Sequence, residues 1–442
     1  MHVAHFIHRY PPALGGAEAY CARLTEFLVG RGHVVQVWTS NAIELEEMWQ
    51  PRNPNSPQSR REHRENRNNS DFALRSLRLC GENDFTVRRF PPLGFPGRRY
   101  ILKALSLIPH PRWQSLTMPC NPVCLGMWRE AAKYEGPLDA VHAFAFPYSF
   151  PIACGLKLAR RRGVPFFLTP FLHLGDPTDP HNRTRKQYTS RPLRWLSRQA
   201  DGVFVQTESE FDAVVQLGVP STKVTLQGLG VDSQECTGGD RAAIRQTWGV
   251  TPDTVVLGHL ANNSVEKGTV DLLRTVQQLP DNARIVLAGP EMPNFRRFWD
   301  AFPLKDRVIR MGQISDAMKR DFFAGIDAFV LPSRTDSFGL VLLEAWANGK
   351  PVVVYRAGGP GDLVRDGDDG LQVRCGDVNE LSEKLRVIVN DVALRERLGK
   401  VGADRVRTEF QWADKLACVE RVLRGTTPTN DDSWALAVTQ RQ

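Results

Sequence analysis

Short apolar runs alternate with helix-like segments along the whole chain, and this alternation limits the fold more than any other feature. Most of the runs are β-branched and lack polar alternation, which is typical of parallel strands covered by helices on both faces. The pattern lapses around residues 228–239, where glycine is frequent. We therefore predict two doubly wound α/β domains, at residues 1–230 and 240–405. The strands are predicted at 2–7, 34–39, 140–143, 166–169, 203–206, 224–226, 255–258, 285–288, 308–310, 328–331, 352–355 and 371–373.

The segment 332–345, which joins the predicted strand 328–331 to a helix, has the side chains of a sugar-nucleotide site. Gly339 permits close approach of a ligand to the main chain, and the free N–H groups of a helix start favour a diphosphate. Asp336 precedes the helix and Glu344 lies inside it. Carboxylates only accept hydrogen bonds, so they suit the hydroxyls of a sugar or a ribose. Ligands of open α/β sheets bind beyond the carboxyl ends of the strands, where this segment lies.

Three further glycine-containing turns follow predicted strands and begin helices. Each is a weak signal alone, because a plain turn, a solvated lysine and a helix N-cap are the respective alternatives. Two of them share the sheet edge of the 332–345 segment, so we expect them to contribute to the same site. The turns contain Gly15 and Gly16, then Lys267, and then Gly358, Gly359 and Asp362.

The positive charge of the chain is concentrated in one region. The net charge is +8 at pH 7, and residues 52–103 hold twelve Lys or Arg against five Asp or Glu. Residues 51–70 are almost free of apolar side chains, so we predict a disordered basic insertion there. This insertion is either a tether to an anionic membrane surface or a solvated loop. No nucleic-acid recognition motif accompanies the charge, so we expect no nucleic-acid partner.

Cysteine usage and hydropathy indicate the compartment. No apolar run is long enough to span a bilayer, and the first residues have the pattern of a strand rather than of a signal peptide. The eight cysteines are scattered, and the close pair Cys120 and Cys124 has no partner His or Cys at zinc-site spacing. We therefore expect a cytoplasmic protein with free thiols, no metal site and a frayed tail at 427–442.

Taken together, these motifs resemble the retaining, nucleotide-sugar-dependent glycosyltransferases of family 4. The most specific part is the pair Asp336 and Glu344, which are separated by seven residues that include Phe-Gly-Leu, followed by the motif Glu-Ala-x-Ala-x-Gly-x-Pro-Val that begins at Glu344. The resemblance covers nearly the whole chain. It implies the GT-B fold, in which two Rossmann-like domains face each other across a cleft, and a segment at 406–426 that crosses back to the first domain.

The resemblance also implies a role for each matching residue. Glu344 would bind the ribose hydroxyls, Lys267 the diphosphate and Asp336 the donor sugar. The main chain of Phe338, Gly339 and Leu340 would lie near the phosphate and the sugar. Gly15 and Gly16 would close over the donor from the first domain, and Gly358, Gly359 and Asp362 would complete the donor site.

Some positions differ from the usual family pattern. Asp336 is one methylene shorter than the usual Glu, and Asn262 stands where an Arg usually supplies a cation to the diphosphate. His142 matches the first of two usual histidines, whereas Phe144 replaces the second. His173 matches a further family histidine, so the resemblance implies catalytic roles for both remaining histidines. A hydrogen-bonded core imidazole is the alternative for His142.

The resemblance implies a hexosyltransferase-type enzyme of polysaccharide biosynthesis that transfers a sugar with retention and without a metal ion. The donor is a nucleotide diphosphate sugar, which is a substrate, so we expect no cofactor. The acceptor is expected to be a glycan or a lipid-linked glycan, met by a peripheral protein at the inner membrane face. A nucleotide-sugar epimerase of the same fold and a non-catalytic sugar-nucleotide or glycan binder are the alternatives.

Overall fold

The computed structural model describes residues 1–49 and 84–425, and its first half is built on a parallel sheet of seven strands. The strand order is β3-β2-β1-β4-β5-β6-β7, so the order reverses between β1 and β4. The strands are β1 (His2–Phe6), β2 (Val34–Ser40), β3 (Phe85–Phe90), β4 (Ala140–Phe144), β5 (Phe166–Thr169), β6 (Gly202–Val205) and β7 (Val224–Leu226). The helices are α1 (Gly16–Gly30), α2 (Arg98–Leu105), α3 (Pro111–Thr117), α4 (Leu125–Ala131), α5 (Ser149–Arg162), α6 (Arg183–Tyr188), α7 (Arg191–Arg198) and α8 (Glu208–Gln216).

The second half is built on a parallel sheet of six strands, in the order β10-β9-β8-β11-β12-β13. Here the order reverses between β8 and β11. The strands are β8 (Val255–Leu260), β9 (Ala283–Ala288), β10 (Val308–Gly312), β11 (Ala328–Leu331), β12 (Val352–Tyr355) and β13 (Gly370–Val373). The helices are α9 (Ser233–Cys236), α10 (Arg241–Thr247), α11 (Thr269–Thr275), α12 (Pro293–Ala301), α13 (Asp316–Gly325), α14 (Leu340–Ala347), α15 (Gly358–Leu363), α16 (Val378–Asn390), α17 (Val392–Glu409) and α18 (Trp412–Leu423).

The prediction of two doubly wound α/β units is confirmed, and every predicted strand corresponds to an observed one. Central strands such as β4 and β12 are buried at every position because helices cover both faces of each sheet. Each large apolar side chain buried in this way contributes about 1.5–3 kcal/mol to the free energy of unfolding. The edge strand β3 was not predicted. Its two arginines, Arg88 and Arg89, interrupt the apolar run, and of its six residues only Phe90 is buried.

The last described helix lies against the first domain. Helix α18 contacts α1, and the Glu420 carboxylate of α18 lies 2.9 Å from the His33 imidazole. The N–H of Val231 donates to the Phe410 carbonyl at 2.9 Å, just before α18 begins. These contacts lie within the predicted crossing segment 406–426, whose bounds, like those of the two domains, stay predictions.

Two sequence predictions lie outside the described residues: the basic insertion at 51–70 and the frayed tail at 427–442. Seven cysteines are described, and all of them are free thiols. Within residues 1–49 and 84–425, no helix is both long and apolar enough to cross a bilayer.

Candidate active site

The loops that follow β8 and β11 bring together Lys267 and Asp336, at the point where the strand order of the second sheet reverses. The Lys267 ammonium lies 2.6 Å from the Asp336 carboxylate. Gly268 makes this approach possible, because a Cβ atom there would lie 1.8 Å from the Pro332 carbonyl oxygen. The two loops are also joined by the Arg334 N–H, which donates to the Glu266 carbonyl at 2.9 Å. A crevice at a reversal of strand order is where open α/β sheets bind ligands.

His173 extends the pair into a cluster that spans both domains. It follows β5 of the first sheet, hydrogen-bonds to the main chain of Thr335 and acts electrostatically on Asp336. Burial raises the pKa of the Asp336 carboxyl, but Lys267, His173 and the Phe338 N–H outweigh burial and hold that pKa below its usual value. Burial lowers the pKa of His173 to about 4. The cluster therefore combines an ionised carboxylate, an ammonium and a neutral imidazole at pH 7.

Glu344 lies inside α14 and has one oxygen bound and one free. Its Oε1 atom lies 2.7 Å from the Lys319 ammonium, whereas its Oε2 atom is buried and has no hydrogen-bond partner among the described residues. Burial lowers the pKa of Lys319, but Glu344 and then Asp316 outweigh burial and raise it above its usual value. A buried acceptor without a partner costs free energy unless a ligand donates to it. The Oε2 atom is therefore a ready acceptor for a hydroxyl.

At the start of α14, residues 338–340 offer main-chain N–H groups rather than side chains to a ligand. Gly339 precedes the helix with φ of +88°, a left-handed conformation that favours glycine. The Phe338 side chain is buried and packs edge-on against Phe410, with 6.5 Å between the ring centroids. The contribution of Phe338, Gly339 and Leu340 to a ligand site is therefore limited to the amide groups at the positive end of the helix dipole.

Gly358, Gly359 and Asp362, which are predicted to bind the donor, already make hydrogen bonds to other parts of the protein. The N–H of Gly358 donates to the Gly175 carbonyl of the first domain at 2.9 Å, and the N–H of Gly359 donates to the Asp336 carbonyl at 3.0 Å. The Asp362 carboxylate accepts from the Ser209 hydroxyl at 2.6 Å, at the start of α8. These groups already have protein partners. They position the Asp336 loop and dock the two domains, which supports an indirect role.

The predicted catalytic role of His142 is also not supported by its surroundings. Its imidazole is fully buried, and Nε2 lies 2.8 Å from the Thr169 hydroxyl. The ring centroids of His142 and Phe144 are 4.1 Å apart, and Phe144 is buried as well. Burial, and then His5, lowers the pKa of His142 well below its usual value. This environment matches the core imidazole that was the alternative.

Gly15 and Gly16 are exposed at the start of α1, beside the reversal of strand order in the first sheet. The neighbouring Glu18 carboxylate is buried and lies 2.6 Å from the Arg9 guanidinium and 3.2 Å from the His8 imidazole. Asn262 is exposed in the loop after β8. In the described part of the chain, no hydrogen bond joins these three predicted residues to Lys267 or Asp336. Their proximity to a bound donor stays a prediction.

Two residues with contacts in this site carried no signal in the sequence. Lys319 lies in α13, outside any motif, and reaches Glu344 from another strand-helix unit. The Tyr188 ring lies 4.9 Å from the His173 ring, and burial raises the pKa of its phenol, with further contributions from Tyr148, Cys120 and Asp336. Across residues 1–49 and 84–425, no group of three or more His, Cys, Asp or Glu side chains is arranged to hold a metal ion.

Two family models match the chain. The "Glycosyl transferase 4-like domain" model matches residues 15–230, and the "Glycosyl transferases group 1" model matches residues 240–405. The D-inositol 3-phosphate glycosyltransferase of Stackebrandtia nassauensis is 29% identical over 306 residues, which are 64% of this chain and 67% of that protein. The lipopolysaccharide core biosynthesis glycosyltransferase LpsD of Rhizobium meliloti is 36% identical over 146 residues, which are 33% of this chain and 42% of that protein.

The fold is shared with a solved structure. The crystal structure of Anabaena HepE in complex with UDP superposes with a TM-score of 0.67 at 17% sequence identity. The superposition covers 96% of this chain and 100% of that chain. At this level of identity the likeness concerns the arrangement of both sheets and their helices.

Proposed function

Because this chain belongs to the glycosyl transferases group 1 family, we propose that the Lys267, Asp336 and Glu344 cluster binds a nucleotide diphosphate sugar and promotes transfer of its sugar. The reaction class follows from the family: the chain is a glycosyltransferase that moves a sugar from a nucleotide sugar to an acceptor. Its two Rossmann-like domains form the GT-B fold. The roles of single residues, the retention of configuration and the independence from metal ions are the proposed part.

The free Oε2 atom of Glu344 is the observation that carries the proposed donor site. A ribose hydroxyl donating to this buried oxygen would satisfy it, while Lys319 occupies the other oxygen. The helix start at Gly339 lies on the same element as Glu344, one to two turns away. One helix can thus bind the ribose along its length and the diphosphate at its amide end.

Lys267 would stabilise the leaving diphosphate. As the bond between the anomeric carbon and the diphosphate oxygen breaks, negative charge grows on the diphosphate and the sugar becomes cationic. Lys267 supplies a preorganised positive charge where a metal ion would otherwise act, and the first amides of α14 add partial positive charge. The acceptor hydroxyl forms the new bond to the anomeric carbon and passes its proton to the leaving diphosphate.

Asp336 and His173 would hold the donor sugar. The Asp336 carboxylate is ionised and accepts hydrogen bonds only, so it can orient a sugar hydroxyl. The neutral His173 imidazole can donate to one hydroxyl or accept from another. Because His173 belongs to the first domain, the sugar would be held from both sides of the cleft.

We place the acceptor on the first domain, near the reversal of strand order between β1 and β4. There the Glu18 carboxylate, the Arg9 guanidinium and the His8 imidazole form a buried polar cluster, and the His8 ring stacks on Tyr148 at 4.0 Å. The names of the two curated relatives support an acceptor that is a polyol phosphate or a lipid-linked glycan. We propose a glycan or lipid-linked glycan acceptor, met at the inner membrane face.

The proposal is tested by incubating the protein with a panel of nucleotide sugars, including UDP-sugars, and a panel of glycan acceptors. We expect acceptor-dependent release of a nucleoside diphosphate, a product with the anomeric configuration of the donor by NMR, and unchanged turnover after chelation of metal ions. Interconversion of the donor without any acceptor would identify an epimerase. Binding of donors without transfer or hydrolysis would identify a non-catalytic binder.

A further inference from the structure

Residues 93–113 of the first domain expose a concentration of large apolar side chains, which we name the 93–113 surface. Tyr100 is 80% exposed and Leu107 is 77% exposed. Soluble proteins rarely leave a contiguous apolar area of this kind uncovered unless something binds to it. The exposed apolar side chains of this surface are Leu93, Phe95, Tyr100, Ile101, Leu105, Leu107, Ile108 and Trp113.

The same surface is positively charged and lacks acidic residues. Between Asp84 and Glu130 the sequence contains no Asp or Glu. Arg99, Lys103 and Arg112 are all exposed. A protein partner of ordinary composition would not require such a combination, whereas a bilayer with anionic headgroups attracts cations and accepts apolar side chains together.

Helix α2 separates the two kinds of side chain into neighbouring stripes. Arg99 and Lys103 are four residues apart and therefore lie on one side of the helix. Tyr100, Ile101 and Leu105 fall on the adjacent arc, and all three are exposed. A helix that lies in the plane of a bilayer has this arrangement, with the apolar arc in the acyl region and the cations at the headgroups.

The backbone that presents these side chains is fixed by the fold. The buried Arg98 guanidinium, at the first position of α2, donates to the Asn121 carbonyl. The Trp113 indole N–H donates to the Leu105 carbonyl at 2.9 Å, and the Gln114 amide donates to the Ser106 carbonyl at 2.9 Å. Helix α3 packs against α5 and α7. The apolar side chains are thus held outward by an ordered scaffold.

The 93–113 surface adjoins the first-domain side of the cleft. Helix α3, which begins within this surface, packs against α7, and α7 follows closely after Tyr188, whose ring lies 4.9 Å from that of His173. An acceptor whose lipid tail stays in a bilayer under this surface would have a short path to the sugar.

We propose that the 93–113 surface docks on a bilayer containing anionic lipids. This inference gives a defined contact surface to the membrane association proposed above. Vesicle binding decides this inference and sugar transfer does not, so it can fail while the proposed reaction stands.

The experiment is flotation of the full-length protein with vesicles of phosphatidylcholine alone or of phosphatidylcholine and phosphatidylglycerol. We expect binding to the mixed vesicles only, decreasing with salt. The variant Tyr100→Ser/Ile101→Ser/Leu107→Ser/Ile108→Ser should bind at least about ten-fold more weakly. The variant Arg99→Gln/Lys103→Gln/Arg112→Gln should lose about five-fold per cation removed and most of the salt dependence.

A matched control is Val387→Ser/Val392→Ser, which removes exposed apolar side chains from the second domain and should bind as the wild type does. Circular dichroism and transfer to a soluble acceptor report that each variant is folded. The proposal is overturned if the wild type does not bind anionic vesicles. It is also overturned if the apolar variant binds them as the wild type does, which is the result expected if residues 52–69 alone were the tether. It is also overturned if the wild type is a dimer that does not bind vesicles and the apolar variant is a monomer, because a second copy of the chain would then cover the surface.

Discussion

The Lys267 ammonium lies 2.6 Å from the Asp336 carboxylate, although the two residues follow different strands and are 69 positions apart. We propose that the diphosphate of the donor binds at the cation of this pair and that the donor sugar binds beside it, at the carboxylate. Without a ligand the two groups form an ion pair in a partly buried position, and Lys267 helps to hold the pKa of the Asp336 carboxyl below its usual value. We propose that a bound donor divides the pair between its own phosphate and sugar, so that the site is preorganised for both ends of the bond that breaks.

Replacing Lys267 tests the cationic half of the pair. Lys267→Ala should lower turnover by about two to three orders of magnitude, because one preorganised stabiliser of the developing charge is lost. Steady-state kinetics at saturating donor measures this effect. Lys400→Ala removes an exposed lysine of α17 and should be neutral. Turnover of Lys267→Ala near that of the wild type would make Lys267 a structural partner of Asp336 only.

The acidic half can be tested with two substitutions that differ in charge. Asp336→Asn keeps the size of the side chain but leaves Lys267 without its carboxylate, and we expect turnover to fall by about two orders of magnitude. Asp336→Glu keeps the charge and restores the usual family residue, so it should retain most of the activity. Equal activity of Asp336→Asn and Asp336→Glu in the same assay would contradict the proposed role of the Asp336 carboxylate.

The particular residues show what the sequence could and could not predict. Asp336, Gly339 and Glu344 were predictable because their chemistry is local to one strand-turn-helix unit. Lys319 was not, because its contact with Glu344 arises from the stacking of two units. The partner of Asp362 could not be predicted either, since Ser209 belongs to the other domain. Strand β3 was hidden because an edge strand tolerates the charges of Arg88 and Arg89 that a central strand would exclude.

The neutral state of His173 makes a prediction about pH. Because burial lowers its pKa to about 4, the folded protein binds this proton less readily than the unfolded chain does. The contribution of His173 to stability is therefore present above its unfolded pKa, which is near 6.5, and is lost as the pH falls toward 4. The imidazole should stay neutral, and kcat/KM should show no acid limb near pH 6.5. An acid limb at that pH that disappears in His173→Gln would contradict this assignment.

Asp362 should affect domain docking more than chemistry. Asp362→Ala removes the acceptor for the Ser209 hydroxyl and for its N–H at 3.3 Å, at the start of α8. We expect the free energy of unfolding to fall by about 0.5–1 kcal/mol, which is at the lower end for the loss of a helix cap because the contact is exposed. We also expect a higher KM with a similar kcat. Urea unfolding and kinetics measure the two effects. Asp253→Ala, at an exposed turn, is the control, and a large fall in kcat with unchanged KM would return Asp362 to the donor site.

The most direct test of the account is calorimetry of nucleoside diphosphate binding to the wild type and to Glu344→Gln. The substitution replaces the buried acceptor Oε2 with a group that donates and also leaves Lys319 without its charged partner. We predict that the diphosphate affinity falls about ten-fold or more, as expected for losing a hydrogen bond to a charged acceptor. Glu383→Gln, on the exposed face of α16, should bind as the wild type does. A folded Glu344→Gln protein with unchanged affinity would contradict the proposed donor site.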